Sequence, residues 1–107
     1  MPRQAVAPTV VAMHALVITY GLGVTHAEHA ELRAELAPAI DAVPGLVSRT
    51  PLENRDTGVF GAFYVFESRA AFDRFVASEL YGATYGAPRA TRVIASDFSI
   101  PNGGRTS

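Results

Sequence analysis

Val59-Phe60-Gly61-Ala62-Phe63-Tyr64-Val65-Phe66 decides the fold. Eight residues rich in aromatic and β-branched side chains, without a charge, read as a strand buried on both faces. Such a strand belongs in the middle of a sheet. Asn54 to Gly58 (NRDTG) precedes it and carries turn chemistry, so Leu46 to Glu53 is its hairpin partner. Pro51 cannot donate to a ladder, which assigns that partner to an edge or to a bulge. Ser68 follows and caps a helix with the apolar stripe Ala71, Phe72, Phe75, Val76 and Leu80. Tyr81 to Pro88 is broken by glycine and reads as a loop. Thr91 to Ile100 is a last strand, closed by Pro101.

The N-terminal half repeats this order. Val10 to Tyr20 is a strand that ends at Gly21 and Gly23. Thr25 with Glu28 three residues on has capping-box spacing. Leu32, Leu36, Ile40 and Val43 recur at helical intervals, with an interior Pro38 that predicts a kink or a new turn. The order β-α-β-β-α-β is the ferredoxin-like split βαβ pattern, an α+β fold. It implies a four-stranded antiparallel sheet with two helices on one face. Residues 1–9 read as an irregular extension, 10–101 as one domain and 102–107 as a polar tail.

Helices cover one face only, yet both strand faces look apolar. The expectation assigns the small set (Met13, Ala15, Val17, Val59, Gly61, Phe63, Val65 and Val93) to the helices. Gly61 and Ala15 would then let a helix approach closely. The bulkier set (His14, Leu16, Ile18, Tyr20, Phe60, Ala62, Tyr64 and Phe66, with Ser96 and Ser48) is left on the bare face. A large apolar patch there calls for a second copy of the chain or for a ligand. By strict alternation Asp97 falls on the helix side.

Composition narrows the chemistry. The 107 residues suffice for one modest core. There is no cysteine, hence no disulfide, zinc–thiolate site or thiol nucleophile. All nine basic residues are arginine, which removes lysine chemistry. A net charge of −1 gives no global field for nucleic acid or an anionic membrane. Neither a signal peptide nor a membrane span is read, so a cytoplasmic location is expected.

The run V-P-G-L-V-S-R from Val43, G-x-F-Y-V-F from Gly61, E-S-R-A-A-F-D-R-F from Glu67 and D-F-S-I-P from Asp97 resembles the dimeric α/β-barrel superfamily. Within it, the chain is similar to the ydhR-type and antibiotic-biosynthesis monooxygenases. The resemblance spans Met13 to Pro101. It implies a homodimer with facing sheets and a cavity in each subunit between sheet and helices or loops. It also implies oxidation of a hydrophobic aromatic molecule by O₂ without metal or flavin. The absence of Trp excludes a catalytic tryptophan.

His14 and Tyr64 are the expected catalytic pair. Histidine titrates in the range that takes a phenolic proton, and a tyrosine hydroxyl can hold an oxyanion. Tyr20, Arg49, Phe60, Phe66 and Tyr81 are the expected substrate-binding residues, with Tyr81 and Tyr85 at a cavity mouth. His26-x-x-His29 reads as a solvated helix start rather than a metal site. Two other classes compete. One is a non-catalytic small-molecule binder or structural dimer on the same fold. The other, an RNA-recognition module, is opposed by the charge and by Ala62 where a stacking aromatic is needed.

Overall fold

A computed structural model describes residues 12–86 and 90–101. Its order is β1 (Met13–Gly21), α1 (His26–Asp41), β2 (Leu46–Asn54), β3 (Val59–Phe66), α2 (Arg69–Val76), α3 (Glu79–Tyr85) and β4 (Thr91–Ile100). The sheet is antiparallel throughout, in the order β2-β3-β1-β4. This is the expected ferredoxin-like α+β fold, with β3 internal and Pro51 on an edge strand. A bulge interrupts the β2 ladder between Leu46 and Ser48. The expected extension, tail and start of the first strand at Val10–Val11 lie outside the described residues.

The caps form as read. Thr25 accepts from the Glu28 N–H at 3.1 Å, and the Glu28 carboxylate accepts from the Thr25 N–H at 2.8 Å. Ser68 accepts from the Ala71 N–H at 3.1 Å. Asn54 Oδ1 accepts from the Asp56 and Thr57 amides, and Gly58 closes the hairpin at φ +71°.

Three local expectations are corrected. First, α1 runs through Pro38 to Asp41. Proline removes one intrahelical bond there, close to the C-terminal end, and the last turn continues past it. Second, residues 81–85 are helical where a loop was expected, and the helix expected to reach Leu80 stops at Val76. Ser78 accepts from the Tyr81 N–H at 3.2 Å and starts α3, and Gly86 ends it. Packing of Leu80, Tyr81 and Tyr85 on the core overrides the weak propensity of Gly82. The helical face of the sheet therefore carries three helices.

Third, the two sheet faces are exchanged. Leu16, Ile18, Tyr20, Phe60, Ala62, Tyr64 and Phe66 form the core with Ile40, Ala71, Phe72, Phe75 and Tyr85. The helices are held off the sheet by an aromatic layer, and these rings fill the space between. Each large apolar side chain so buried contributes roughly 1.5–3 kcal/mol. Gly61 serves the sheet instead: a Cβ there would lie 2.5 Å from the Ile18 carbonyl oxygen of the next strand. The face without helices carries Val17, Phe63 and Val65, and its register adds Leu52, Ile94 and Phe98. Ser48 and Ser96 pair with Val65 and Val17, so they lie on that face too and apart from His14 and Tyr64. Asp97 is on the helical side, but opposite Leu16 in the bulky set rather than with the small set it was grouped with.

Candidate functional site

Cross-strand rows set the site on the helical face. Arg49, Tyr64 and Leu16 form one row, and Glu53, Phe60 and Tyr20 another. Over the second row lies the first turn of α1. It places His29, only 2% exposed, with its ring stacked on Phe60 at 3.9 Å between centroids. His29 Nε2 is 2.9 Å from the Tyr20 hydroxyl. From the other side α3 brings Tyr85, whose hydroxyl is hydrogen-bonded to that of Tyr64 and whose ring meets Tyr20 edge-on at 5.2 Å. Tyr81 is half-buried, between Phe75 and Tyr85.

These groups surround a cavity lined by Tyr20, Leu22, His29, Arg33, Arg49 and Tyr85, among others, with a free volume of about 20 Å³. That holds one water-sized probe. A second space of about 130 Å³ continues it along the β2 edge, sharing His29 and Arg33 and adding Pro51, Leu52 and Glu53. Together they make a narrow cleft between α1 and β2.

Burial governs the protonation states. It pushes the Tyr20 hydroxyl up to about 12, with Tyr64 adding to the shift, against the pull of Arg49 and Arg33. Tyr64 is likewise raised by burial, which outweighs its hydrogen bond with Tyr85 and the nearby Arg49 charge. Tyr85 is raised by burial and then by Tyr64. All three remain neutral phenols at physiological pH. His29 is lowered by burial and further by Arg33, with Glu53 opposing, so its neutral form is favoured. His29 Nδ1, Arg33 Nε and Arg49 Nε are buried without a hydrogen-bond partner. In the tautomer where Nε2–H donates to the Tyr20 oxygen, Nδ1 carries a free lone pair.

The expected residues divide into two groups. Tyr20, Arg49, Phe60, Tyr64 and Tyr81 gather at or beside this cleft. His14 and Phe66 do not. His14 is six residues from Tyr20 along β1, roughly 20 Å at strand spacing. It is 3% exposed, packs on Phe72 at 4.7 Å, and its Nε2 is 2.7 Å from Asp97 Oδ2. Phe66 packs with Phe72 and Phe75 in the same region. Sequence reading missed His29 and Arg33, and His29 is not a solvated helix start. The signal was present: His29, Leu32, Leu36 and Ile40 follow at 3, 4 and 4 and extend the apolar stripe by one turn. His26 lies beside it, its ring 5.0 Å from that of Phe60 between centroids, and pairs with Glu53 at 2.9 Å. Among the described residues no three or more His, Cys, Asp or Glu side chains gather as a metal site. Nor is any described helix long and apolar enough to cross a membrane.

Among solved structures, the chain is similar to a point variant of SnoaB, a cofactor-independent oxygenase from Streptomyces nogalater. Identity is 26% and TM-score 0.64, covering 80% of this chain and 90% of that one. It is also similar to NE2512 from Nitrosomonas europaea, a protein of unknown function (17%, TM-score 0.67, 83% and 89% covered). A third likeness is to a DABB-family protein with a ferredoxin-like fold from Mesorhizobium loti (15%, TM-score 0.66, 81% and 95% covered). No curated protein matches the chain. The family described as "Putative mono-oxygenase ydhR" matches residues 16–104. With that match spanning most of its length, the chain belongs to the ydhR mono-oxygenase family.

Proposed function

We propose that the chain is a cofactor-independent monooxygenase for a hydrophobic aromatic molecule with an acidic C–H, and that His29 rather than His14 is its base. The observation that carries this is the buried, neutral His29, held by Tyr20 and stacked on Phe60, with Nδ1 unpartnered at a cleft. Family membership and the likeness to SnoaB supply the reaction class. His29 Nδ1 takes the proton from the substrate carbon, and Nε2–H keeps donating to Tyr20. The carbanion gives one electron to O₂. Recombination forms a C–O bond and a peroxide, which loses water. The sum is R₂CH₂ + O₂ → R₂C=O + H₂O. The Tyr64–Tyr85 pair stabilises the anionic oxygen conjugated with the carbanion. His14, sequestered with Asp97 and Phe72, is structural in this reading.

The test is oxygen uptake with dithranol, a tricyclic phenol with an acidic methylene. His29→Gln is expected to lower turnover on the order of 100-fold, within the range for a positioned base. His14→Gln is expected to stay within threefold. Equal loss in both variants, or none in His29→Gln, rejects the assignment. A purified protein that binds dithranol without oxygen uptake is instead the non-catalytic binder.

The open sheet face supports a homodimer in the same proposal. Phe98 and Ile94 are 58% and 65% exposed beside Phe63, Val65 and Val17. A second copy laid sheet to sheet would cover this apolar set.

A further inference from the structure

Arg33 and Arg49 need an explanation that proton abstraction does not give. Both line the inner cavity, Arg33 from α1 and Arg49 from β2. Both are partly buried, and the Nε of each is fully enclosed without a partner, the Arg49 guanidinium reaching only the neutral Tyr64 hydroxyl. Among the described residues neither has a carboxylate within ion-pair distance. The one acid facing the cleft, Glu53, is engaged by His26 at 2.9 Å and by Arg55 at 3.3 Å. Two guanidinium groups are thus brought to one enclosed, largely aliphatic space with no anion among the described residues to balance them. Buried charge of this kind is costly unless paired. A planar two-oxygen anion asks less room than a tetrahedral one, and the inner space, about 20 Å³ here, has to widen to admit it. Guanidinium forks match carboxylates.

We infer that the natural substrate carries a carboxylate, held between Arg33 and Arg49, with its apolar body directed along the cleft past His29 and Phe60. This deepens the proposed function and rests on reading the cleft as the substrate site. The carboxylate anchors the molecule and leaves its acidic carbon to His29. Arg33 and Arg49 together then set specificity for aromatic acids over neutral aromatics.

Titration of the full chain with benzoate and with benzamide, its neutral isostere, tests this without any variant. Calorimetry or amide chemical shifts give the two affinities. Benzoate is expected to bind at least tenfold tighter and to inhibit dithranol oxidation competitively. Arg33→Gln and Arg49→Gln, each checked for folding by circular dichroism, are expected to reduce the benzoate preference severalfold. Both should leave benzamide binding unchanged. Equal affinity for the two probes, no benzoate binding at millimolar concentration, or a preference surviving in the double variant overturns the inference. Dithranol oxidation without benzoate preference would sink the carboxylate site and leave the oxygenase standing. Benzoate preference without oxidation would do the reverse.

Discussion

His29 shows how one side chain acquires chemistry from its surroundings. On an isolated helix start it is a solvated imidazole. Beneath α1 it is stacked, bonded to Tyr20 and kept neutral by burial. Its folded pKa lies below the ordinary 6.5, so the unfolded chain takes up the proton first as pH falls. Its contribution to stability is complete above about pH 6.5 and is lost on acidification through the folded value, by at most about 1.4 kcal/mol per pH unit for one proton. Urea unfolding at pH 7 and pH 5.5 checks this. The wild-type chain is expected to lose more stability between the two than a His29→Phe variant, from which this titration is absent. An equal loss in both chains means that another group dominates. The residue was not legible beforehand because a polar side chain on an apolar stripe is ambiguous until its covering strand is known. Tyr20, Phe60 and Tyr64 were legible, since alternation in β1 and β3 put them on one side, and Arg49 on β2 was read from its guanidinium chemistry.

At the level of elements, strands and caps were readable because each rests on local chemistry. The hairpin, the capping box and all four strands followed from turn residues, spacing and β-branched runs. The helix α3 was not readable, because Gly82 within it and Gly86 at its end argue for a loop and only packing of Tyr81 and Tyr85 restores it. Ser78→Ala is therefore expected to cost about 1 kcal/mol, the usual value of such a cap. It should also loosen Tyr85 from Tyr64, seen as faster amide exchange confined to residues 79–85. Gly45, at φ +83°, has the Ala71 side chain 2.5 Å from where a Cβ would sit. Gly45→Ala is expected to destabilise by at least about 1 kcal/mol, because strain and a clash between the turn before β2 and α2 act together. A midpoint of thermal unfolding unchanged from wild type would contradict that account.

On the scale of the whole molecule, the exchange of the two faces has a physical lesson. Small residues were assigned to close helix packing, whereas the helices here stand on a layer of rings. Volume between layers has to be filled, and the bulky set fills it. The flat set is left on the open face with Phe63 and Phe98, the surface of the proposed dimer contact. Phe98→Asp places a charge in that proposed interface. It is expected to shift the chain from dimer to monomer at micromolar concentration, measured by light scattering after size exclusion, with the circular dichroism spectrum retained. A wild-type chain that is already monomeric would remove the sheet-to-sheet assembly.

The chain contains four tyrosines and no tryptophan; Tyr20 and Tyr85 line the cleft, and Tyr64 and Tyr81 touch Tyr85 directly behind it. Its near-ultraviolet absorption and intrinsic emission therefore arise almost wholly from the candidate site. A ligand entering there would perturb every strong chromophore of the protein at once. Emission quenching, or a shift in the 280 nm band, would report occupancy without a label, while events on the opposite sheet face would leave the signal nearly silent.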